Sequence, residues 1–500
     1  MPNQEEFRKH IDEGYATQGD FISMGAAMLQ GKAITDALVK IPISTLNRHG
    51  LIAGATGTGK TKTLQLLAEN LSEKGIPVLL MDLKGDLSGL AQPSPGHAKI
   101  DERHAQIGIP FEAKSFPVEI LSLSDQDGVK LRATISEFGP ILLSRILDLS
   151  ETQQGIVAVV FKYCDDNKLP LLDLKDFKKV LQYATDDGKA EFTKDYGRIS
   201  TSSTGTILRK IIELEQQGAD LFFGEKSFEV NDLTRIDPEG RGYINILRLT
   251  DIQDRPKLFS TFMLSLLAEI YDTFPEQGDS DRPELILFID EAHLIFNEAS
   301  DALLDQIESI VKLIRSKGIG LYFVTQNPTD VPNEVLAQLG LKVQHALRAF
   351  TARDRKAIKL TAENYPESEY YDTKEVLTSL GIGEALISAL DEKGRPTPLA
   401  ATLLRAPMSR MDILTEKELA DVIEGSKLVR KYGEVIDRDS AYEILNRKME
   451  KAEAVAEAEK ERPKTTTQRR TSTRQNPFIK VLTSATFIRG VLGVLKKVMR

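Results

Sequence analysis

A lysine and a threonine, Lys60 and Thr61, close a run of glycines in the stretch LIAGATGTGKTKTL at residues 51–64. Gly54, Gly57 and Gly59 let a backbone curl so that successive amide N–H groups and the first turn of a following helix converge on one anion. In that geometry the Lys60 ammonium reaches the outer phosphates of a nucleoside triphosphate. The Thr61 hydroxyl completes the shell of a Mg²⁺ whose other ligands are phosphate oxygens and water. Gly54, Ala55, Thr56, Gly57, Thr58, Gly59, Lys60, Thr61 and Lys62 are therefore the expected ATP cradle.

A second stretch carries the complementary charge. Residues 285–289, LILFI, form a continuous apolar run that ends in Asp290-Glu291-Ala292-His293. Two carboxylates at the end of a buried strand are costly unless a cation meets them, and a nucleotide-bound Mg²⁺ supplies one. Asp290 is expected to hold that metal through water, and Glu291 to polarise the water that attacks the γ-phosphate. The letters DEAH also occur in a large helicase group, whose other motifs are not evident here. Downstream, the run GIGLYFVT presents Gln326, an uncharged amide that can bond both attacking water and phosphate, or simply end a strand. After residues 341–347 comes Arg348, which either stabilises phosphoryl charge, in this subunit or a neighbour's site, or forms a surface ion pair.

These side chains need a sheet whose strands all end on one side. Apolar runs at 49–53, 77–81, 118–123, 242–249, 285–289, 318–325 and 341–347 read as buried parallel strands, with closing strands at 384–390 and 398–404. The helix after the phosphate loop places Leu64, Leu67, Ala68 and Leu71 on one face and stops at Gly75. Asp82, Lys84 and Asp86 follow the second core strand, at the edge where ligands of open α/β sheets sit. Asp82 there either touches metal-bound water or caps a turn. Arg209 and Lys210 lie on the outer face of a helical stretch, as phosphate contacts or as a solvated face.

Apolar content of 41% and charged content of 28% are ordinary for a globular chain. The one cysteine, Cys164, allows no internal disulfide, and the six histidines show no zinc-site spacing. With no secretory signal or membrane-spanning run, a cytoplasmic location is expected. The net charge is −9, yet from Arg462 onward the chain carries Lys and Arg but no Asp or Glu. An acidic body argues against broad nucleic-acid binding and leaves room for a narrow basic channel. The expected organisation is an N-terminal flap (1–40), a core in two parts (41–125 and 241–405) around a mostly helical insertion (126–240), and C-terminal helices (406–461). A flexible linker (462–477) and a basic amphipathic helix (478–500) follow, the latter able to contact a membrane surface or a partner.

With GATGTGKT, LILFIDEAHLIF, GIGLYFVTQNPTDVP and QHALRAFTARDRKA in this order, the chain resembles the HerA-like branch of the HerA/FtsK ATPases, and within it a bacterial subgroup. The resemblance runs from about Phe21 to Leu445. It implies an α/β fold with a RecA-like P-loop ATPase core, Mg-ATP hydrolysis, and a hexameric ring that translocates on double-stranded DNA. Carried over by position, Lys60 and Thr61 bind phosphate and magnesium, Asp290 and Glu291 serve metal and water, Gln326 senses the nucleotide and Arg348 is the finger. Unlike in HerA, no N-terminal β-barrel domain is expected from this sequence. Two rival readings share the same nucleotide site: a nucleotide-switched scaffold, membrane-associated through the tail, and a protein-translocating motor.

Overall fold

The computed structural model describes residues 3–461 apart from 253–254, 279, 299–300, 435 and 437. The linker and basic helix expected at 462–500 lie outside the described residues. The chain forms two compact units, Met1–Asn446 and Arg447–Arg500; the described part of the second, residues 447–461, is helical. Among the described residues no helix is long and apolar enough to cross a membrane.

The first unit is built on one twelve-stranded sheet. Its strands in chain order are β1 (Phe21–Leu29), β2 (Lys32–Pro42), β3 (Gly50–Ala53), β4 (Val78–Asp82), β5 (Val118–Ser122), β6 (Val129–Lys130), β7 (Ile244–Arg248), β8 (Leu285–Ile289), β9 (Ile319–Thr325), β10 (Leu341–Gln344), β11 (Glu384–Ser388) and β12 (Ala400–Leu404). Across the sheet they run β2-β1-β12-β11-β10-β3-β9-β8-β4-β7-β5-β6. From β10 to β6 every pairing is parallel; from β10 to β2 every pairing is antiparallel. The central strands are buried on both faces: every residue of β8 is at most 1% exposed. Each such side chain contributes roughly 1.5–3 kcal/mol by leaving water, so the strands that carry the acids and the phosphate loop are the most firmly held.

Residues 1–40 are not a flap. They supply a helix, α1 (Gln4–Gly14), and the β1-β2 hairpin that extends the main sheet beyond β12. The hairpin turns through Gln30 (φ 51) and Gly31 (φ 74), the positive-φ pair that a two-residue turn needs. Its pairing with β12 is close: a Cβ at Gly25 would lie 1.9 Å from the Leu403 carbonyl oxygen.

Between β6 and β7 the chain leaves the sheet for five α-helices, Ile135–Ile146, Glu151–Asn167, Leu174–Thr185, Lys189–Asp195 and Thr201–Gln216. Caps start the first three: the Thr134 and Asp173 side chains accept from first-turn amides, and the Gln153 side chain accepts from the Ser150 amide. On the last, Arg209 bonds Thr206 and Lys210 bonds the Asp148 carbonyl. Both cations are thus engaged within the protein's own surface.

Candidate nucleotide-hydrolysis site

The phosphate loop joins β3 to α2 (Lys60–Glu73). Its curl depends on Gly54, Gly57 and Gly59, at φ 153, 76 and 112. Neighbouring strands hold both its flanks: the Gly54 amide donates to Thr325 of β9 (3.3 Å) and the Ala55 amide to Ala346, just beyond β10 (2.9 Å). On the far side the Gly383 amide donates to the Thr58 carbonyl (3.1 Å). Lys60 begins the helix, and its ammonium donates to the carbonyls of Gly54 (2.6 Å) and Ala55 (3.1 Å), which keep it over the loop. Burial, and then the charge of Lys84, lower its pKa, against the opposing pull of Glu291 and Asp290. The four charges share one small region.

The parallel sheet is what brings them there. Asp290 and Glu291 leave the carboxyl end of β8, and the strand order puts only β9 between β8 and β3. Both acids are largely buried, at 7% and 9% exposure. Burial raises the Asp290 pKa to about 6, with Lys84 opposing the rise. Glu291 has φ 47, a left-handed backbone rarely held by a residue with a side chain, and such strain concentrates at functional positions. Gln326 follows β9 and is exposed at the same edge. The turn behind it is tied down by Asp330, whose carboxylate accepts from the Thr325 hydroxyl (2.7 Å) and the Asn327 amide (3.1 Å).

The remaining expected residues divide. Thr61 is half-buried in the first turn of α2, where its hydroxyl suits a phosphate-bound Mg²⁺. Lys62 directs its ammonium to the Met411 carbonyl and to Gln65 rather than to the loop. Arg348 is exposed, two residues past the Ala346 carbonyl that bonds the phosphate loop. Asp82 proves to be a turn residue: its two oxygens accept from the amides of Gly85 (2.7 Å), Asp86 (3.2 Å) and Leu87 (3.2 Å). The donor set fits Mg²⁺ held mainly by nucleotide oxygens. One hydroxyl, one buried carboxylate and a curled amide cradle are present, and among the described residues no group of three or more His, Cys, Asp or Glu could form a metal cage of its own.

Two residues at the site carried no assigned role in the sequence. Lys84, beyond β4, pairs with Glu291 at 2.6 Å. His345, fully buried, backs the loop: its Nε2 lies 2.8 Å from the Thr63 hydroxyl and its Cβ blocks any side chain at position 54. Burial lowers its pKa to about 4, so it is neutral at physiological pH.

A glycine-rich amide cradle and an acid pair on one edge of a parallel sheet, with a single strand between them, define a RecA-like P-loop ATPase core. The chain belongs to the helicase HerA-like C-terminal family, whose model matches residues 28–489. It is 24% identical over 361 residues to the DNA double-strand break repair helicase HerA of Saccharolobus solfataricus, an alignment covering 70% of this chain and 63% of that protein. To the protein of the same name from Sulfolobus acidocaldarius it is 22% identical over 374 residues, covering 71% and 66%. The chain thus spans less than two thirds of the length of these relatives. Among solved structures, plasmid coupling protein TrwB in complex with a non-hydrolysable ATP analogue shares the fold, with a TM-score of 0.51 and 16% identity over 80% of this chain and 99% of that one.

Proposed function

We propose that the chain is a Mg²⁺-dependent ATP hydrolase working in the cytoplasm as an oligomeric DNA translocase, with a hexameric ring as its assembled form. The observation that carries the hydrolase reading is the meeting of Lys60, Asp290 and Glu291 at one sheet edge. In this reading the loop amides and Lys60 bind the β- and γ-phosphates, and Thr61 and Asp290 are the residues that would hold a Mg²⁺, which would supply neutralisation of phosphate charge. Glu291 takes a proton from the attacking water as its oxygen bonds the γ-phosphorus and the bond to the β-phosphate oxygen breaks, leaving ADP and phosphate. Gln326 orients that water, and Arg348 stabilises the phosphoryl charge, from a neighbouring subunit in the ring.

The DNA reading is supported by the names of the relatives and by a basic surface beyond β10. Arg353, Arg355, Lys356 and Lys359 are all exposed on the helix Ala352–Glu363. The acids nearby are occupied: Asp354 caps the helix through the amides of Phe350 and Thr351, and Glu363 pairs with Lys359. In a chain of net charge −9, such a cationic face suits a phosphate backbone. Steady-state ATPase assays with Mg²⁺, with and without duplex DNA, test the proposal alongside particle size by electron microscopy. Glu291→Gln is expected to retain ATP and leave only a small residual turnover. One rate with and without DNA, together with no DNA retention at low salt, would end the translocase reading.

A further inference from the structure

The acid pair has a cation of its own, and the fold aims it. Lys84 lies in the turn after β4, the strand beside β8 on the side away from β9. That turn is fastened from inside by the three amide bonds to Asp82 and passes through Gly85 at φ 75, a conformation that favours glycine. A turn bonded in this way fixes the Lys84 backbone, and its side chain runs along the sheet edge to β8. The ammonium lies 2.6 Å from Glu291 Oε1 and 3.9 Å from Asp290 Oδ2.

The two oxygens of Glu291 consequently differ. Oε1 is held by Lys84, while Oε2 is buried and has no hydrogen bond among the described residues. His293 Nδ1 lies 3.3 Å from Oε2 without hydrogen-bond geometry. A buried carboxylate oxygen left as a bare acceptor is costly, and a water molecule is the donor that would satisfy it.

We propose that Lys84 is a positioning residue for ATP hydrolysis: by gripping Oε1 of Glu291 it directs Oε2 at the attacking water and keeps the base in line with the γ-phosphate. The proposal rests on the reading of Glu291 as the base. Its logic is conformational. Glu291 sits on a strained backbone with a flexible three-bond side chain, and β8 alone does not select one rotamer. A lysine anchored on the adjacent strand does, at the cost of ordering one side chain that is still 43% exposed. Lys84 acts through Glu291 and has no role in holding the nucleotide.

The test uses the full chain with Mg²⁺, comparing the parent with Lys84→Ala, Lys84→Arg, Glu291→Gln and the Lys84→Ala/Glu291→Gln double variant. Steady-state hydrolysis gives kcat and KM, a fluorescent ATP analogue gives binding, and thermal midpoints report folding. Lys84→Ala is expected to lower kcat about 10- to 100-fold, the range that loss of an orienting partner or a misplacement of about 1 Å produces. KM and analogue binding stay at the parent values. Lys84→Arg restores most of the rate, and the double variant is no slower than Glu291→Gln alone. A Lys84→Ala protein that turns over like the parent overturns the proposal. So does one that loses ATP binding, since Lys84 would then be a phosphate ligand, and so does a double variant slower than Glu291→Gln. If Lys84→Ala fails to fold, a Lys84→Arg protein that folds and is as slow as Glu291→Gln counts against it. If Glu291→Gln hydrolyses ATP as fast as the parent, the base assignment itself has failed, an outcome distinct from any of these.

Discussion

Replacing Gly54 by alanine tests whether the phosphate loop owes its shape to the strand behind it. A Cβ at position 54 would lie 2.5 Å from His345 Cβ, 3.1 Å from His345 Cα and 3.1 Å from the Thr58 hydroxyl oxygen. His345 cannot retreat, because it is fully buried, its amide donates to the Ala53 carbonyl (2.7 Å) and its ring is bonded to Thr63. The loop must move instead. Holding a residue with a side chain in such a backbone region costs on the order of 1–3 kcal/mol. If that cost is met each time the cradle closes on its ligand, ATP binds about 5- to 150-fold more weakly, at 1.4 kcal/mol for each factor of ten. Gly57 is the internal control: it has φ 76, but a Cβ there meets nothing within 4 Å. Gly57→Ala therefore carries only the left-handed penalty, about 1–2 kcal/mol, and falls at the mild end of the range. Titration of a fluorescent ATP analogue in Mg²⁺ buffer measures both. In the Gly54→Ala background, His345→Ala keeps the colliding Cβ and gives no relief, whereas His345→Gly does. Parent-like binding by Gly54→Ala, or a larger loss from Gly57→Ala, would refute the reasoning.

Three further outcomes are expected. Gly25→Ala drives a Cβ into the Leu403 carbonyl at 1.9 Å and should lower stability by about 1–3 kcal/mol or more, read as a reduced midpoint in urea; an unchanged midpoint would mean that β1 and β12 part easily. Glu69 is buried in α2 beneath Met408 and Ser409, and burial raises its pKa to about 7 despite the bonds it accepts there. Its native form therefore binds a proton more tightly than the unfolded chain, so its contribution to stability is present below about pH 4.5 and is lost as pH rises through 7. The stability difference between parent and Glu69→Gln should accordingly shift toward the variant from pH 5 to pH 8, and a pH-independent difference would count against the raised pKa. Reversing Arg353, Arg355 and Lys356 to glutamate should weaken duplex binding and flatten its salt dependence by about 0.9 in slope for each phosphate the protein no longer neutralises. An unaltered slope would move the DNA surface elsewhere.

Most of the parallel half of the sheet was legible because its central strands are short apolar runs buried on both faces; β6, only Val129–Lys130, carries no such run and was not expected. The runs at 77–81, 285–289 and 318–325 fall on β4, β8 and β9 within a residue. The β1-β2 hairpin was not. Gly25, Ala26 and Ala27 give β1 little strand propensity, and its burial comes from β12, which lies at the other end of the sequence. The residues of the site followed the same division. Lys60, Asp290 and Glu291 announce themselves through local spacing and through charge at the end of an apolar run. Lys84 does not, since its meaning depends on β4 lying next to β8, a pairing that no local pattern encodes. Asp82 carried two readings in the sequence, and the turn decides between them by occupying both its oxygens with amides.

Two connected routes lead from the nucleotide cradle to the basic surface. The first is direct: the Ala55 amide is bonded to the Ala346 carbonyl, and two residues later the same segment carries Arg348. The second starts at Gln326, passes through the turn that Asp330 holds, and reaches the helix Ala352–Glu363, which that turn touches. The first ends on the loop just before the helix and the second on the helix that carries Arg353, Arg355 and Lys356; under the proposed function, ATP in the cradle and a polyanion on that helix would bias one local arrangement. If duplex DNA is the ligand proposed for that surface, linkage fixes the form of the coupling: whatever factor DNA adds to the affinity for ATP, ATP adds to the affinity for DNA. A motor needs that reciprocity, because hydrolysis can loosen the grip on DNA only if the two sites favour the same state before it.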